Sequence, residues 1–398
     1  LMLILTNSYH LLPNLGQCAF EGINGFAFLA IPLYILTGDI LSRTGIAKSL
    51  LDLAASILGT IKGGISATVL LATGFFAAIS GSVASDAAVF ARLTIPELEK
   101  KGYPRDYSSA LIATGGCSAA LIPPSVVYIL IVYVLNLSIA DLFLATILPG
   151  ILVIALMIVV NFIYVYYRGL ESSDVTQVKF SFKHVLVNIW RAKIGLSFPL
   201  IILGGIYTGA FTPTEAGAVA VGVGLLHGLL TRRLSVKELP ETLKSSALVC
   251  GTIMPIMAIA YFMGQTMTYF QTQSAILTFF TSLTQNSFLI LSIIFIIVLI
   301  FGMFIDLIPN ILILGPLLLP VAEKAGMDPN HFSIWFMFTL SFGFITPPYG
   351  FNLFVVSSIS GESIINISRH ILPFIIAMFI ANIIILLWPN LSLWIIGL

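Results

Sequence analysis

Ile122-Pro123-Pro124-Ser125, inside the otherwise apolar stretch 106–137, is the passage that decides the fold. Its counterpart is Thr346-Pro347-Pro348-Tyr349-Gly350, inside 330–361. A proline pair removes two amide donors and clashes with the preceding turn, so each stretch should break into two half-helices. At membrane depth, open backbone of this kind is tolerated only where protein or a polar cavity surrounds it.

Composition puts these stretches in lipid. Of 398 residues, 58% are hydrophobic and 9% charged, with a mean hydropathy of +1.06. A soluble domain carries about 25% charged residues, and so few charges cannot cover a wet surface. The net charge of +1 makes no case for nucleic acid or acidic partners. Cys18, Cys117 and Cys250 lie far apart and suggest neither a disulfide framework nor a metal site. Stretches 22–42, 141–167, 195–211, 214–231, 249–270 and 364–388 are apolar enough to span as helices. The chain opens at Leu1 without methionine or a signal-peptide pattern, so a longer protein with an upstream membrane segment is expected.

Two further apolar stretches, 64–94 and 287–323, are interrupted by polar residues. The first carries Ser80-Gly81-Ser82-Val83-Ala84-Ser85-Asp86, the second Gly302-Met303-Phe304-Ile305-Asp306-Leu307-Ile308-Pro309-Asn310. Each is long enough for two half-crossings with a tip between, which predicts re-entrant helical hairpins.

A shift of 224 residues aligns the halves without a gap over 96–124. Pro96, Glu99, Lys100, Gly102, Pro123 and Pro124 fall on Pro320, Glu323, Lys324, Gly326, Pro347 and Pro348. The same shift puts Ser82 on Asp306 and Asp86 on Asn310, so each tip has a polar pair four residues apart on one helix face. Region 43–105 carries Arg43, Lys48, Lys62, Arg92, Lys100, Lys101 and Arg105, whereas 267–331 carries only Lys324. By the positive-inside rule the first is cytoplasmic and the second faces away, which makes the repeats inverted. That count requires 46–60 and 273–284 to lie along the interface. The expected organisation is a first repeat over 1–167, a charged cytoplasmic linker over 168–194 and a second repeat over 195–398. Inverted repeats with discontinuous helices meeting at mid-bilayer are a recurring plan of secondary transporters.

Several residues could carry chemistry at that meeting point. Asp86 and Asp306 either contact a cation or solute, or cap the half-helix beside them; a carboxylate can do both. Ser80, Gly81, Ser82 and Ser85 offer hydroxyls and exposed backbone, donors that suit Na⁺, or small surfaces for close packing. Thr114-Gly115-Gly116-Cys117-Ser118 precedes the first break, and the run from Thr339 to Gly343 precedes the second; they supply carbonyls for an ion or room for packing. Ser125 and Asn352 follow the breaks and either face solute or cap. Arg92 either meets an anionic solute or snorkels to the interface. The scattered histidines have no ligand spacing, and no phosphate loop or nucleophile–base constellation occurs, so the chain is read as no enzyme.

Several strings resemble the large membrane (M) subunit of tripartite ATP-independent periplasmic (TRAP) transporters. They are Gly205-Ile206-Tyr207-Thr208-Gly209-Ala210-Phe211-Thr212-Pro213-Thr214-Glu215-Ala216, Ile31-Pro32-Leu33 with Gly38, Gly81-Ser82 with Asp86-Ala87-Ala88, Ile95-Pro96-Glu97 with Gly102-Tyr103-Pro104, and both proline-pair strings. Arg92 departs from the small or apolar residue expected there. The resemblance implies an all-α elevator-type permease of the ion-transporter-superfamily kind in the bacterial inner membrane. It implies Na⁺-coupled import of an organic acid such as sialic acid or a C4-dicarboxylate. It implies two partners, a small membrane (Q) subunit and a periplasmic substrate-binding protein (P subunit). It also implies at least two Na⁺ ions near the hairpins. On this sequence those sites would draw on Ser80, Gly81, Ser85, Gly115, Gly116, Ser118 and Pro123, and on Gly302, Asp306, Thr339, Gly343, Thr346 and Pro347. Ser82, Asp86, Ser125, Asp306, Asn310 and Asn352 would meet the solute. The rival readings are a stand-alone Na⁺/dicarboxylate symporter and a channel-like subunit without coupling.

Overall fold

A computed structural model describes residues 8, 13–170 and 181–397, and among these no strand occurs. Among the described residues, seven helices are long and apolar enough to cross a membrane, and an eighth span counts if the bent pair over 105–135 is one. The first hairpin is Gly64–Ser80 and Val83–Lys100, and the second is Ser287–Phe304 and Leu307–Lys324. The first broken helix runs Arg105–Gly116, Ser118–Leu121 and Val126–Leu135, turning by 43°. The second runs Pro329–Gly343 and Phe351–Ser360. Both proline pairs lie in the non-helical breaks, as their missing donors require.

The repeat is visible in the helix bounds. Adding 224 to Val83–Lys100 gives 307–324, the bounds of Leu307–Lys324. The same addition carries 64–80 to 288–304 and the helix start at 105 to 329. The packing is reciprocal. The first arm of each hairpin lies on the front half of its own broken helix. The second arm lies on the back half of the other one: Val83–Lys100 on Phe351–Ser360, and Leu307–Lys324 on Val126–Leu135. The long helices Ile139–Arg168 and Ile364–Leu387 pack against each other beside this core.

Local chemistry sets the ends. Asn286 accepts from the amides of Phe288 and Leu289, and Asp328 from those of Asn330 and His331. Each satisfies amides that a helix start leaves free. Thr212 and Glu215 form a reciprocal capping box at the start of Pro213–Leu230. The Thr212–Glu215 string is thus a structural turn.

Helices Ile46–Leu58 and Thr272–Leu283 have 13 and 12 residues. At about 1.5 Å per residue they are too short to cross the bilayer. Each leads into a hairpin. Ile46–Leu58 follows Ala30–Arg43, which has 14 residues, so the span expected over 22–42 is not one membrane-length helix but a short 3-10 turn, Phe26–Leu29, followed by Ala30–Arg43. Phe182–Tyr207 begins well before the expected span at 195. Its first turns bury Val185, Asn188 and Ala192, while Lys183, Arg191 and Lys193 share the exposed face with Phe182, Leu186, Ile189 and Trp190, so the charges do not stop the helix. The rest of the expected linker, 171–180, lies outside the described residues. Leu239–Tyr269 likewise starts ahead of 249 and packs on Ala30–Arg43, which also carries Pro213–Leu230.

Candidate functional site

The first hairpin turns at Gly81, whose φ is +58°. A Cβ there would lie 3.2 Å from the Cα of Ser125 and 3.3 Å from the carbonyl oxygen of Pro124. The tip therefore touches the backbone of the first break, and only glycine fits both the turn and the approach. Ser80 Oγ donates to Asp86 Oδ1, and the amide of Ser82 donates to Ser80 Oγ over 3.3 Å. Asp86 is fully buried, and its Oδ2 has no hydrogen-bond partner among the described residues. The hydroxyls of Ser118 and Ser125 are also buried and unpartnered.

The second half reaches into this region. Asn352, one residue into the back half of the second broken helix, is fully buried. Its Nδ2 donates to the carbonyl of Ala113 over 2.6 Å and lies 3.7 Å from Cys117 Sγ. A Cβ on Gly116 would come within 2.9 Å of that nitrogen and 3.0 Å of Ala87 Cβ, so Gly116 makes the space that Asn352 occupies. Asn352 Oδ1 is left unpartnered. One carboxylate oxygen, two hydroxyls and one amide oxygen are thus buried without partners around the first tip and break. Stranding each such group costs about 1–3 kcal/mol, and a hard cation or a polar solute would offset that. Oxygen donors with a single carboxylate fit a monovalent hard cation such as Na⁺. No group of three or more His, Cys, Asp or Glu side chains is placed to hold a metal among the described residues.

The second tip is built differently. Asn310, equivalent to Asp86, is buried but engaged, donating to the carbonyls of Phe301 at 3.3 Å and Ile305 at 2.9 Å. It closes the end of the preceding arm. Asp306, equivalent to Ser82, is exposed at the tip. The expectation of a carboxylate withdrawn into an apolar run therefore holds for Asp86 and not for Asp306. Gly302 and Gly343 press backbone against backbone: a Cβ on Gly343 would lie 2.4 Å from the carbonyl carbon of Gly302. In the first half Gly115 makes room for a side chain instead: a Cβ there would lie 2.6 Å from Thr73 Oγ1. Thr339 Oγ1 donates to Trp335 O at 2.8 Å and accepts from Asn382 Nδ2 at 2.9 Å, while Asn382 Oδ1 accepts from Trp335 Nε1 at 2.7 Å. The Thr339 hydroxyl is thus committed to a buried network. Thr346 Oγ1 donates to Phe342 O over 2.7 Å, and Pro347 sits half-buried beside it.

Ser85 is half-buried on the second arm, Pro123 is buried in the break, and Arg92 is exposed two turns beyond the tip. Ser341, inside the run from Thr339 to Gly343, is buried with a free hydroxyl.

Two hairpins packed on two proline-broken helices, with buried, unpartnered oxygens around the first tip and break, are the arrangement of a membrane transport protein. The family model described as "Tripartite ATP-independent periplasmic transporter, DctM component" matches residues 1–391. The chain belongs to that family, and it is the large membrane component of a TRAP transporter. It is 33% identical over 375 residues to the C4-dicarboxylate TRAP transporter large permease protein DctM of Pseudomonas aeruginosa, covering 94% of this chain and 87% of that one. It is 34% identical over 364 residues to the isethionate TRAP transporter permease protein DctMQ of Oleidesulfovibrio alaskensis. That match covers 91% of this chain, which spans 57% of that longer protein. Among solved structures, the YdaH transporter of Alcanivorax borkumensis, described as having an unusual topology, shares the fold with a TM-score of 0.63. Identity there is 15%, with 95% of this chain and 89% of that one covered.

Proposed function

We propose that the chain imports a small organic anion across the bacterial inner membrane together with Na⁺, by an elevator motion. The observation that carries this reading is the set of buried, unpartnered oxygens on Asp86 of the first hairpin, on Ser118 and Ser125 of the first broken helix, and on Asn352, which reaches that helix from the other half. Na⁺ binds there as a co-transported substrate. Its charge offsets the buried Asp86 carboxylate and allows an anionic solute to approach the half-helix starts at Val83 and Val126.

The carboxylate or sulfonate solute class follows from the relatives, one named for C4-dicarboxylates and one for isethionate. The second Na⁺ site would lie around Gly302, Gly343, Thr346 and Pro347, with Asp306, Asn310 and Ser82 closing on the solute. The Thr339 backbone, not its hydroxyl, would serve there.

The moving unit would be the two hairpins and two broken helices, held together by their reciprocal packing. The fixed unit would be Ala30–Arg43, Phe182–Tyr207, Pro213–Leu230 and Leu239–Tyr269. The charge bias of 43–105 over 267–331 supports opposite orientation of the two halves. The small membrane subunit and the periplasmic binding protein are its working partners.

Uptake into proteoliposomes holding the assembled transporter and its binding protein tests this. Solute entry should require inward Na⁺ and fail with K⁺. Equal uptake in either salt would overturn the coupling.

A further inference from the structure

We propose that a basic pocket at the end of the fixed helices binds the phosphodiester headgroup of an anionic phospholipid. The pocket has a volume of about 730 Å³ and is lined by Arg43, Lys48, Arg191 and Arg233, with Asp52 as its one carboxylate. Arg43 closes the helix Ala30–Arg43, Lys48 and Asp52 lie on the short helix Ile46–Leu58, and Arg191 comes from Phe182–Tyr207. Arg233 follows Pro213–Leu230.

The site is built rather than a loose patch. Arg233 Nη1 donates to the carbonyl of Thr44 over 2.8 Å. Gly45, at φ +72°, lets that nitrogen approach: a Cβ would lie 3.0 Å from it. Among the described residues, neither ion pair uses any of the four cations. Four like charges sharing one carboxylate repel each other, and a bound phosphate relieves that.

The location selects a lipid over a free anion. The pocket lies where the membrane-capable helix Pro213–Leu230 ends and a helix too short to span begins, which is headgroup depth. Beside it the spanning face is apolar and open: Leu226 is 60% and Leu230 74% exposed. On the neighbouring helix Trp190 is 70% exposed, with Lys193 Nζ 3.7 Å from its ring centroid. An aromatic ring paired with a lysine is an interfacial anchor, and the leucines offer a track for an acyl chain. A phosphate held there would join Ile46–Leu58, which leads into the first hairpin, to the fixed helices.

The test is native mass spectrometry of the assembled, delipidated transporter titrated with phosphatidylglycerol, phosphatidylcholine or inorganic phosphate. Neither Lys48 nor Arg191 makes an ion pair, so the paired Lys48→Gln, Arg191→Gln variant should fold. It should bind phosphatidylglycerol about tenfold more weakly than wild type, with phosphatidylcholine unaffected. A Lys62→Gln, Lys244→Gln control should bind as wild type does. Arg191→Gln alone gives the same readout, with a smaller loss, should the double variant assemble poorly. Unchanged phosphatidylglycerol affinity in the pocket variants would overturn the proposal. So would displacement of the lipid by millimolar phosphate, which would mark a free-anion site.

Discussion

Asn352 of the second half donates a 2.6 Å hydrogen bond to the Ala113 carbonyl of the first half, 239 residues away in sequence. The bond ties the back of one broken helix to the front of the other, in the space left by Gly116. It is the most direct link between the halves at the site, and its Oδ1 remains free to meet what binds.

Asn352→Leu should therefore do two things. Leaving the Ala113 carbonyl only the weak Cys117 thiol donor, and adding bulk near Ala87, should lower stability by about 1–3 kcal/mol. Solute uptake should fall to background even where thermal melting of the purified protein shows it folded. Normal uptake would remove Asn352 from the site.

Gly81→Ala forces a side chain into a left-handed turn and to within 3.2 Å of Ser125. The backbone term alone costs about 1–2 kcal/mol. The first hairpin should separate from the break, with uptake lost and membrane expression retained. Gly361→Ala, at φ +75° with no atom within 4 Å of the added Cβ, is the matched control and should keep transport.

Asn382→Leu breaks the network with Trp335 and Thr339 away from the first tip. It should lower stability by about 1–3 kcal/mol through the stranded indole N–H. The Na⁺ concentration for half-maximal uptake should move far less than in Ser118→Ala. Ser118→Ala should show the reverse, a severalfold rise in that concentration with little change in melting temperature.

Ser82→Ala and Asp306→Ala should each abolish Na⁺-driven uptake with membrane expression intact, because both sit at the turning points of the hairpins. Wild-type uptake in both would remove the tips from the solute path.

The backbone plan was legible because its causes are local. A proline pair must break a helix wherever it sits, and polar residues midway in an apolar run must turn it, so both hairpins and both breaks could be read off. The repeat added the pairing of Asp86 with Asn310. The different fates of these two residues were not legible. Asp86 is buried and Asp306 exposed because they hold different positions in the repeat: positions 86 and 310 are both buried, while 82 and 306 are not. Asn352 could be nominated from its place after the break. Its partner Ala113 could not, since an alanine carbonyl leaves no mark in sequence. The early start of Phe182–Tyr207 was hidden because its charges suggested a loop, while its buried stripe of Val185, Asn188 and Ala192 was outweighed by them.

The claim that the first tip and break hold Na⁺ can be measured without knowing the solute. Melting of the purified transporter in NaCl is compared with melting in equal KCl, for wild type and for Asp86→Asn. A cation present at ten times its Kd stabilises by about 1.4 kcal/mol, a shift of about 2–4 °C. The account predicts that shift in wild type and its reduction in Asp86→Asn, where only the site at the second tip remains. Equal melting of wild type in the two salts, or an undiminished Na⁺ shift in Asp86→Asn, would contradict it.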